Sequence, residues 1–111
     1  MKPHQFIEKL HAAYAAKRPN SEKLHKRAGN FMPGGDTRSV TFYHPFPTFM
    51  KYGRGFTLVD VDGLEYLDFQ NNYNSLIHGH AHPHIVEAIS RQALKGTAHA
   101  APTELQYNLA K

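Results

Sequence analysis

Apolar side chains recur at helical spacing near the start of the chain. Between residues 6 and 17 they fall on one face of a helix, at Phe6, Leu10, Ala13 and Tyr14. Pro19 ends this helix, because proline lacks the amide hydrogen and clashes with the preceding turn. Asn20 or Ser21 is then a favoured N-cap for a second short helix. The pattern therefore predicts two amino-terminal helices.

The middle of the chain changes to strand-like runs. Three short segments rich in β-branched, aromatic and aliphatic side chains are separated by glycine-containing turns: 48–52, 56–61 and 65–69. The pair Asp62-Gly63 favours a hairpin, because glycine adopts positive φ at little cost. Asp60 and Asp62 also resemble the start of a calcium loop, but the distal glutamate of an EF-hand is missing, so a turn is preferred. The pattern predicts a three-stranded antiparallel meander.

Between the helices and the meander, Pro33-Gly34-Gly35 interrupts the chain and residues 36–47 show little periodicity. The stretch 38–43, Arg-Ser-Val-Thr-Phe-Tyr, is expected to form an extended arm. Its aromatic side chains need another surface to cover them.

Residues 78–84 read His-Gly-His-Ala-His-Pro-His. In a strand these four histidines would share one face and could hold a metal ion. Gly79 and Pro83 argue against a strand, and from Pro83 the apolar positions take helical spacing up to Gly96. The histidines would then diverge between a loop and a helix start. Structural hydrogen bonding is their expected role, and no metal site is expected.

Composition narrows the function classes. The 111 residues include no cysteine, which excludes disulfides and thiolate nucleophiles. Of the charged residues, ten basic and three acidic ones lie in 1–54, and three basic and six acidic ones in 55–111. The basic cluster at 23–27 lacks the interleaved aromatic residues of a nucleic-acid surface, so a solvated helix face is preferred. No signal peptide or membrane span is evident, and a cytoplasmic protein is expected.

Several motifs occur in an order that resembles the class III aminotransferases. They are Met-Pro-Gly-Gly at 32–35, Tyr-Gly-Arg-Gly at 52–55, the strand and hairpin stretch 56–69, Gly-His-Ala-His-Pro at 79–83 and Ala-Pro-Thr-Glu at 101–104. Each motif alone is weak, but the ordered set covers about 31–111. Within the family, the chain is most similar to glutamate-1-semialdehyde aminomutases and related aminotransferases.

The resemblance implies an α/β fold class. The chain would be an α+β segment, the amino-terminal part of a fold type I transferase dependent on pyridoxal 5'-phosphate (PLP): helices, a small antiparallel meander, then a helix leading to a large domain. PLP is the implied cofactor of the full-length family. The lysine that bonds to PLP and the groups that hold its ring and phosphate would lie in the large domain, beyond residue 111. No catalytic or PLP-binding residue is expected here, and Gly96 in Lys95-Gly96-Thr97 is a simpler helix end than a phosphate cup.

The resemblance also implies two substrate contacts. Arg38 matches by position an arginine that similar members use to hold a substrate carboxylate, for which guanidinium offers a planar pair of donors. Tyr73 falls where the family places an aromatic side chain beside the substrate. The alternatives are a surface arginine in a mobile arm and a tyrosine packed under a loop. The implied partners are an amino-acid or keto-acid substrate with a carboxylate and a second copy of the chain in a homodimer.

Alternatives of function stay open. The stretch Asp-Thr-Arg-Ser-Val at 36–40 is shorter than in typical aminomutases and is more similar to transaminases acting on β-amino acids. A non-catalytic binding or dimerisation module is a second alternative, and a truncated product with no independent role is a third. The expected organisation has four segments: amino-terminal helices 1–30, a substrate-side arm 31–47, the meander 48–70, and a loop with helices 71–111.

Overall fold

A computed structural model describes residues 2–111, apart from the side chain of Ser39, so Met1 of the predicted segment 1–30 lies outside it. The helices are α1 Pro3–Ala16, α2 Pro19–Ala28, α3 Pro83–Ala93 and α4 Glu104–Ala110, and the strands are β1 Met50–Arg54, β2 Thr57–Asp60 and β3 Glu65–Leu67. None of the helices in residues 2–111 has the length and apolar character needed to cross a membrane. The chain divides into two compact units, one ending at His80 and the other running from Ala81 to Lys111. The boundaries of the four predicted segments stay a prediction.

The two amino-terminal helices form, but α2 begins differently from the prediction. Pro19 is its first helical residue and Arg18 occupies the N-cap position, where its side chain makes no capping hydrogen bond. The Asp62 carboxylate caps the helix instead, because it accepts hydrogen bonds from the Asn20 amide at 2.7 Å and the Ser21 amide at 3.0 Å. The expected local N-cap at Asn20 or Ser21 is therefore wrong, because a distant aspartate satisfies the first free amides.

The predicted antiparallel meander is confirmed, with strand order β1-β2-β3. Gly53 pairs with Leu58, and Leu58 pairs with Tyr66, so β2 is the central strand. The turn between β2 and β3 contains Gly63 at φ 85°, where the absence of a Cβ avoids a steric penalty. The sheet is short, and it is extended by an isolated antiparallel bridge between Gly55 and His80 and by single hydrogen bonds from the amides of Val61 and Asp68.

A fully buried carboxylate closes the hairpin. Asp60 Oδ1 accepts from the amides of Asp62 and Leu64 at 2.9 and 2.8 Å, and Oδ2 accepts from the Tyr66 hydroxyl at 2.6 Å. Arg18, which lies between α1 and α2, also contacts this group: its Nε is 4.0 Å from Asp60 Oδ2, and its Nη2 donates to the Tyr66 hydroxyl at 2.9 Å. Burial, and then donation to Asp60, raise the pKa of Tyr66. These donors occupy both oxygens of Asp60, which supports the turn interpretation of this stretch.

The arm between α2 and β1 packs on α1. Phe46, only 4 % exposed, lies with its ring centroid 5.2 Å from that of Tyr14, whose hydroxyl donates to the Phe46 carbonyl at 2.9 Å. The arm is not extended throughout, since Pro33–Gly35 and Ser39–Thr41 form 3-10 turns. The carboxylate of Asp36 accepts from Thr41 Oγ1 at 2.5 Å and so folds the second turn back on itself.

The second unit contains α3 and α4. Pro83 is the first residue of α3, as predicted, and His82 precedes it in extended conformation. The helix ends at Ala93, and Gly96 follows at φ 94° with its amide donating to the Ala93 carbonyl. Gly96 therefore belongs to the end of a helix, in agreement with the sequence interpretation.

Candidate functional site

Tyr73 lies in a left-handed helical turn. Asn71, Asn72, Tyr73 and Asn74 have φ values of 51°, 47°, 58° and 64°. Left-handed helical conformation costs about 1–2 kcal/mol per residue for ordinary L-residues, and asparagine tolerates it best. Four consecutive residues in this region are unusual, and such strain is held only where the surroundings over-determine it. The Tyr73 side chain is 60 % exposed.

The Asp68 carboxylate binds the start of this turn. Its Oδ1 accepts from the amides of Gln70 at 3.0 Å and Asn71 at 2.8 Å. Its Oδ2 lies 2.6 Å from His80 Nε2. The Asn71 amide, and then the His80 side chain, lower the pKa of Asp68. An ionised carboxylate only accepts hydrogen bonds, so His80 carries the proton on Nε2 and donates it to Asp68.

His80 in turn is fixed to the sheet. Its amide and carbonyl exchange two hydrogen bonds of 2.8 Å with Gly55. Its imidazole rests on the backbone of Gly53, where a Cβ would come within 2.6 Å of the ring's Cγ. Gly79 approaches Gly55 just as closely, since a Cβ there would lie 2.7 Å from the Gly55 carbonyl oxygen. One histidine of the predicted His-rich turn therefore has a structural hydrogen-bonding role, as expected.

A cavity of about 480 Å³ lies beside the turn. Its lining combines the polar side chains of Asp68, Asn71 and Asn74 with the apolar ones of Phe56 and Ile77. Phe56 is 73 % and Ile77 81 % exposed. The cavity thus joins hydrogen-bonding groups to uncovered apolar surface, which is the usual character of a ligand site.

Arg38 lies in the arm, with its backbone held and its guanidinium open. The Arg38 amide donates to Asp36 Oδ1 at 3.2 Å, and its carbonyl accepts from the Thr41 amide at 3.1 Å. Donation from Thr41, and then from the Arg38 amide, lower the pKa of Asp36. Within the part of the chain that the structure describes, no ion pair engages the Arg38 guanidinium. A fixed backbone and an exposed fork of donors suit the capture of an external anion.

The sequence neighbours of Arg38 and Tyr73 line different cavities, and neither residue is itself among the lining residues of those cavities. Asp36 and Thr37, next to Arg38, line cavities of about 300 and 470 Å³ that share no lining residue with the cavity beside the left-handed turn. Sequence reasoning missed Asp36 and Asp68, whose carboxylates hold the backbone around Arg38 and before Tyr73. The signal for Asp36 was the Asp-Thr pair after glycine, which favours a side-chain-stabilised turn.

The side chains and amides around Lys95 do not fit a PLP site. Lys95 lines a cavity of about 400 Å³ with Ala88, Ile89, Arg91, Gln92 and Leu105, and this lining offers no acidic group to face a pyridine nitrogen. The Lys95 and Gly96 amides already donate to carbonyls of α3 and are not free for a phosphate. Among residues 2–111 there is also no group of three or more histidine, cysteine, aspartate or glutamate side chains that could hold a metal ion.

A family comparison matches the greater part of the chain. The family model "Aminotransferase class-III" matches residues 39–110. The chain is 44 % identical over 91 residues to the glutamate-1-semialdehyde 2,1-aminomutase of Methanothermobacter thermautotrophicus, covering 82 % of this chain and 22 % of that enzyme. The chain thus spans about a fifth of the length of the curated relatives it matches.

Comparison with solved structures finds aminotransferases as well. An omega-transaminase from Sphaerobacter thermophilus is 49 % identical with a TM-score of 0.73, covering 77 % of this chain and 19 % of that one. A β-phenylalanine aminotransferase from Variovorax paradoxus is 32 % identical with a TM-score of 0.79, covering 88 % and 24 %. Helices and a three-stranded sheet arranged as in these transaminases agree with the fold class expected from the sequence.

Proposed function

The chain belongs to the class III aminotransferase family, and from that premise we propose that it supplies substrate recognition to a PLP-dependent transfer of an amino group. Arg38 holds the substrate carboxylate, and Tyr73 lies against the substrate. The open Arg38 guanidinium on a backbone fixed by Asp36 is the observation that carries this proposal.

The chemistry of Arg38 fits a carboxylate. Guanidinium stays charged at any physiological pH and presents two parallel N–H donors to the two carboxylate oxygens. Arg18 and Arg91 are engaged, the former with Asp60 and Tyr66 and the latter with Glu87 at 2.9 Å. Arg38, like Arg27 and Arg54, makes no ion pair within residues 2–111, so it differs from Arg18 and Arg91 in having its donors available for a ligand.

Tyr73 can provide an aromatic surface against which a substrate packs. Its ring is exposed, and the turn that carries it fixes its backbone in a strained conformation of the kind found at functional sites. The cavity beside it supplies further amide and carboxylate groups from Asn71, Asn74 and Asp68.

PLP, when bound to the complete enzyme, supplies an electron-accepting ring for the exchange of the amino group. In this proposal the covalent lysine and the phosphate donors belong to the part of the relatives' length that the chain does not cover. This segment would then bind and orient the substrate. A homodimer in the cytoplasm is part of the same proposal. The exposed side chains of Phe31, Phe69 and Leu94 need a covering surface, which a second copy or the remainder of a longer chain would provide.

A second candidate substrate class is a β-amino acid. The similarity to the β-phenylalanine aminotransferase of Variovorax paradoxus favours it, together with the Arg-Ser-Val stretch at 38–40. Both candidates carry a carboxylate, so both give Arg38 the same role. They differ in the distance between the carboxylate and the reacting amine.

The test uses a chimera in which this chain replaces the matching segment of the Sphaerobacter omega-transaminase. We expect PLP binding and activity, a KM for carboxylate substrates raised at least tenfold by Arg38→Ala, and partial rescue by Arg38→Lys, which keeps the charge but loses the fork. Arg27→Ala, which removes an exposed arginine on α2, is the matched control. An active chimera whose KM ignores Arg38→Ala for α- and β-amino acids alike would refute the role. A folded chimera without PLP or activity would favour a non-catalytic module.

A further inference from the structure

The same carboxylate, Asp68, contacts both the left-handed turn and the sheet. We propose that Asp68 and His80 are positioning residues for Tyr73: the pair holds the turn Asn71–Asn74 in its left-handed conformation and so sets where the Tyr73 ring stands. That Tyr73 contacts the substrate rests on the proposed function. That Asp68 and His80 hold the turn rests on the geometry of this chain alone.

The backbone hydrogen bonds within the turn are long: the amides of Asn74, Ser75 and Leu76 donate to the carbonyls of Gln70, Asn72 and Asn71 at 3.2, 3.4 and 3.3 Å. Its short local bonds both use Ser75 Oγ, which donates to the Asn72 carbonyl at 2.8 Å and accepts from Asn72 Nδ2 at 2.9 Å. Asp68 contributes shorter bonds, 2.8 and 3.0 Å, to the two amides at which the turn begins. An ionised acceptor also makes a stronger bond than a neutral carbonyl does.

Asp68 can act as an anchor because it is itself immobilised. The Asp68 amide donates to the Phe56 carbonyl at 2.8 Å, which extends the sheet past β3. The other oxygen is held by His80, whose backbone pairs with Gly55 and whose ring sits on Gly53. The Asp68 side chain is 8 % exposed and that of His80 is 19 % exposed. A rigid sheet therefore transmits its position through two side chains to the turn, as precise functional sites require.

The first experiment measures the turn directly by NMR of the isotope-labelled chain. Residues with positive φ show strong intraresidue cross-peaks between the amide and α protons and a reduced one-bond coupling between Cα and Hα. We expect these signatures at Asn71–Asn74 in the unmodified chain and their loss in Asp68→Ala. Asp62→Ala is the matched control, since Asp62 also accepts from two backbone amides, at 2.7 and 3.0 Å, but serves α2 instead.

The outcomes decide whether Asp68 and His80 hold the turn. Positive φ retained in Asp68→Ala, lost equally in Asp62→Ala, or absent from the unmodified chain overturns the proposal. If Asp68→Ala also loses the amide signals of the meander, the decision passes to His80→Phe, which keeps a ring on Gly53 but removes the donor to Asp68. Ser75→Ala tests a purely local hold, since Ser75 Oγ donates to the Asn72 carbonyl at 2.8 Å. Loss of the signatures in Ser75→Ala but not in His80→Phe counts against the proposal.

The second experiment is a double-mutant cycle in the active chimera. We expect Asp68→Ala to raise KM several-fold when Tyr73 is present and to have no further effect in a Tyr73→Ala background, because it acts through Tyr73. Additive effects would refute positioning. If Tyr73→Ala alone leaves KM unchanged, the substrate contact proposed for Tyr73 fails, and the NMR result still decides whether the pair holds the turn.

Discussion

Replacing the buried Asp60 should destabilise the first unit more than any exposed acidic substitution. Asp60→Ala removes three hydrogen bonds, from the amides of Asp62 and Leu64 and from the Tyr66 hydroxyl. It also leaves the Arg18 guanidinium, 14 % exposed, without its buried counter-charge 4.0 Å away. Removing one partner of a buried charged pair costs about 3–5 kcal/mol. Since small domains have a total stability of about 5–15 kcal/mol, the loss is a large fraction of it.

Urea unfolding followed by far-ultraviolet circular dichroism measures the effect. Asp60→Asn should cost less than Asp60→Ala, because its amide oxygen still accepts from the two turn amides, although the charge facing Arg18 is lost in both variants. Glu65→Ala is the control: it removes an exposed carboxylate from β3 and should change the free energy of unfolding by under about 0.5 kcal/mol. The reasoning fails if Asp60→Ala stays within about 1 kcal/mol of the unmodified chain, or if it matches Glu65→Ala.

Three further predictions concern pH and close packing. The pKa of Asp62 is lowered overall, since burial raises it but the amides of Asn20 and Ser21 outweigh burial, and those of Asp36 and Asp68 are lowered too. The stability that these three carboxylates contribute is present above the unfolded pKa and is lost as pH falls below about 4. The urea concentration at the unfolding midpoint should therefore drop below this pH, and the drop should be smaller in Asp62→Asn. A midpoint that does not change with pH would contradict this. Burial raises the pKa of Tyr14 to about 12, so the stability that Tyr14 contributes is complete below about pH 10 and is lost as pH rises from there. In a titration followed by tyrosinate absorbance, one component should appear at higher pH than the others, and Tyr14→Phe should remove it. A titration curve that Tyr14→Phe leaves unchanged would exclude this assignment. Gly53→Ala places a Cβ 2.6 Å from the His80 ring and should cost about 1–3 kcal/mol in unfolding free energy, whereas Gly29→Ala, whose Cβ would meet nothing closer than 3.5 Å, should be nearly neutral; equal effects would show that the ring moves freely.

The meander and the helices could be predicted from the sequence because their signals are local. The signals lie within or next to each element, as in the turn residues Asp62-Gly63 and in Pro83 at the first position of its helix. The N-cap of α2 could not be predicted, since its acceptor lies 42 residues away. The left-handed turn was missed for a different reason. Asparagine-rich stretches are read as irregular loops, and single residues of that conformation are common where a run of them is not.

The substrate contacts came from resemblance and not from local pattern. Nothing in the residues around Arg38 indicates an open guanidinium, because that depends on which acidic side chains the fold brings near it. The partnership of Asp68 with His80 was equally hidden. Both residues are visible in the sequence, but only the antiparallel bridge between Gly55 and His80 brings them to hydrogen-bonding distance.

The tip of the second hairpin has a consequence for engineering the chain. Hairpin tips are ordinarily the preferred places to insert a tag, a linker or a new terminus, because few contacts depend on them. Here the tip residue Asp62 is also the acceptor for the first amides of α2. Lengthening this hairpin would move the carboxylate away from the helix and fray it from its first turn. Circular permutants and fusions should therefore be opened at a different turn, one whose side chains hold no other element.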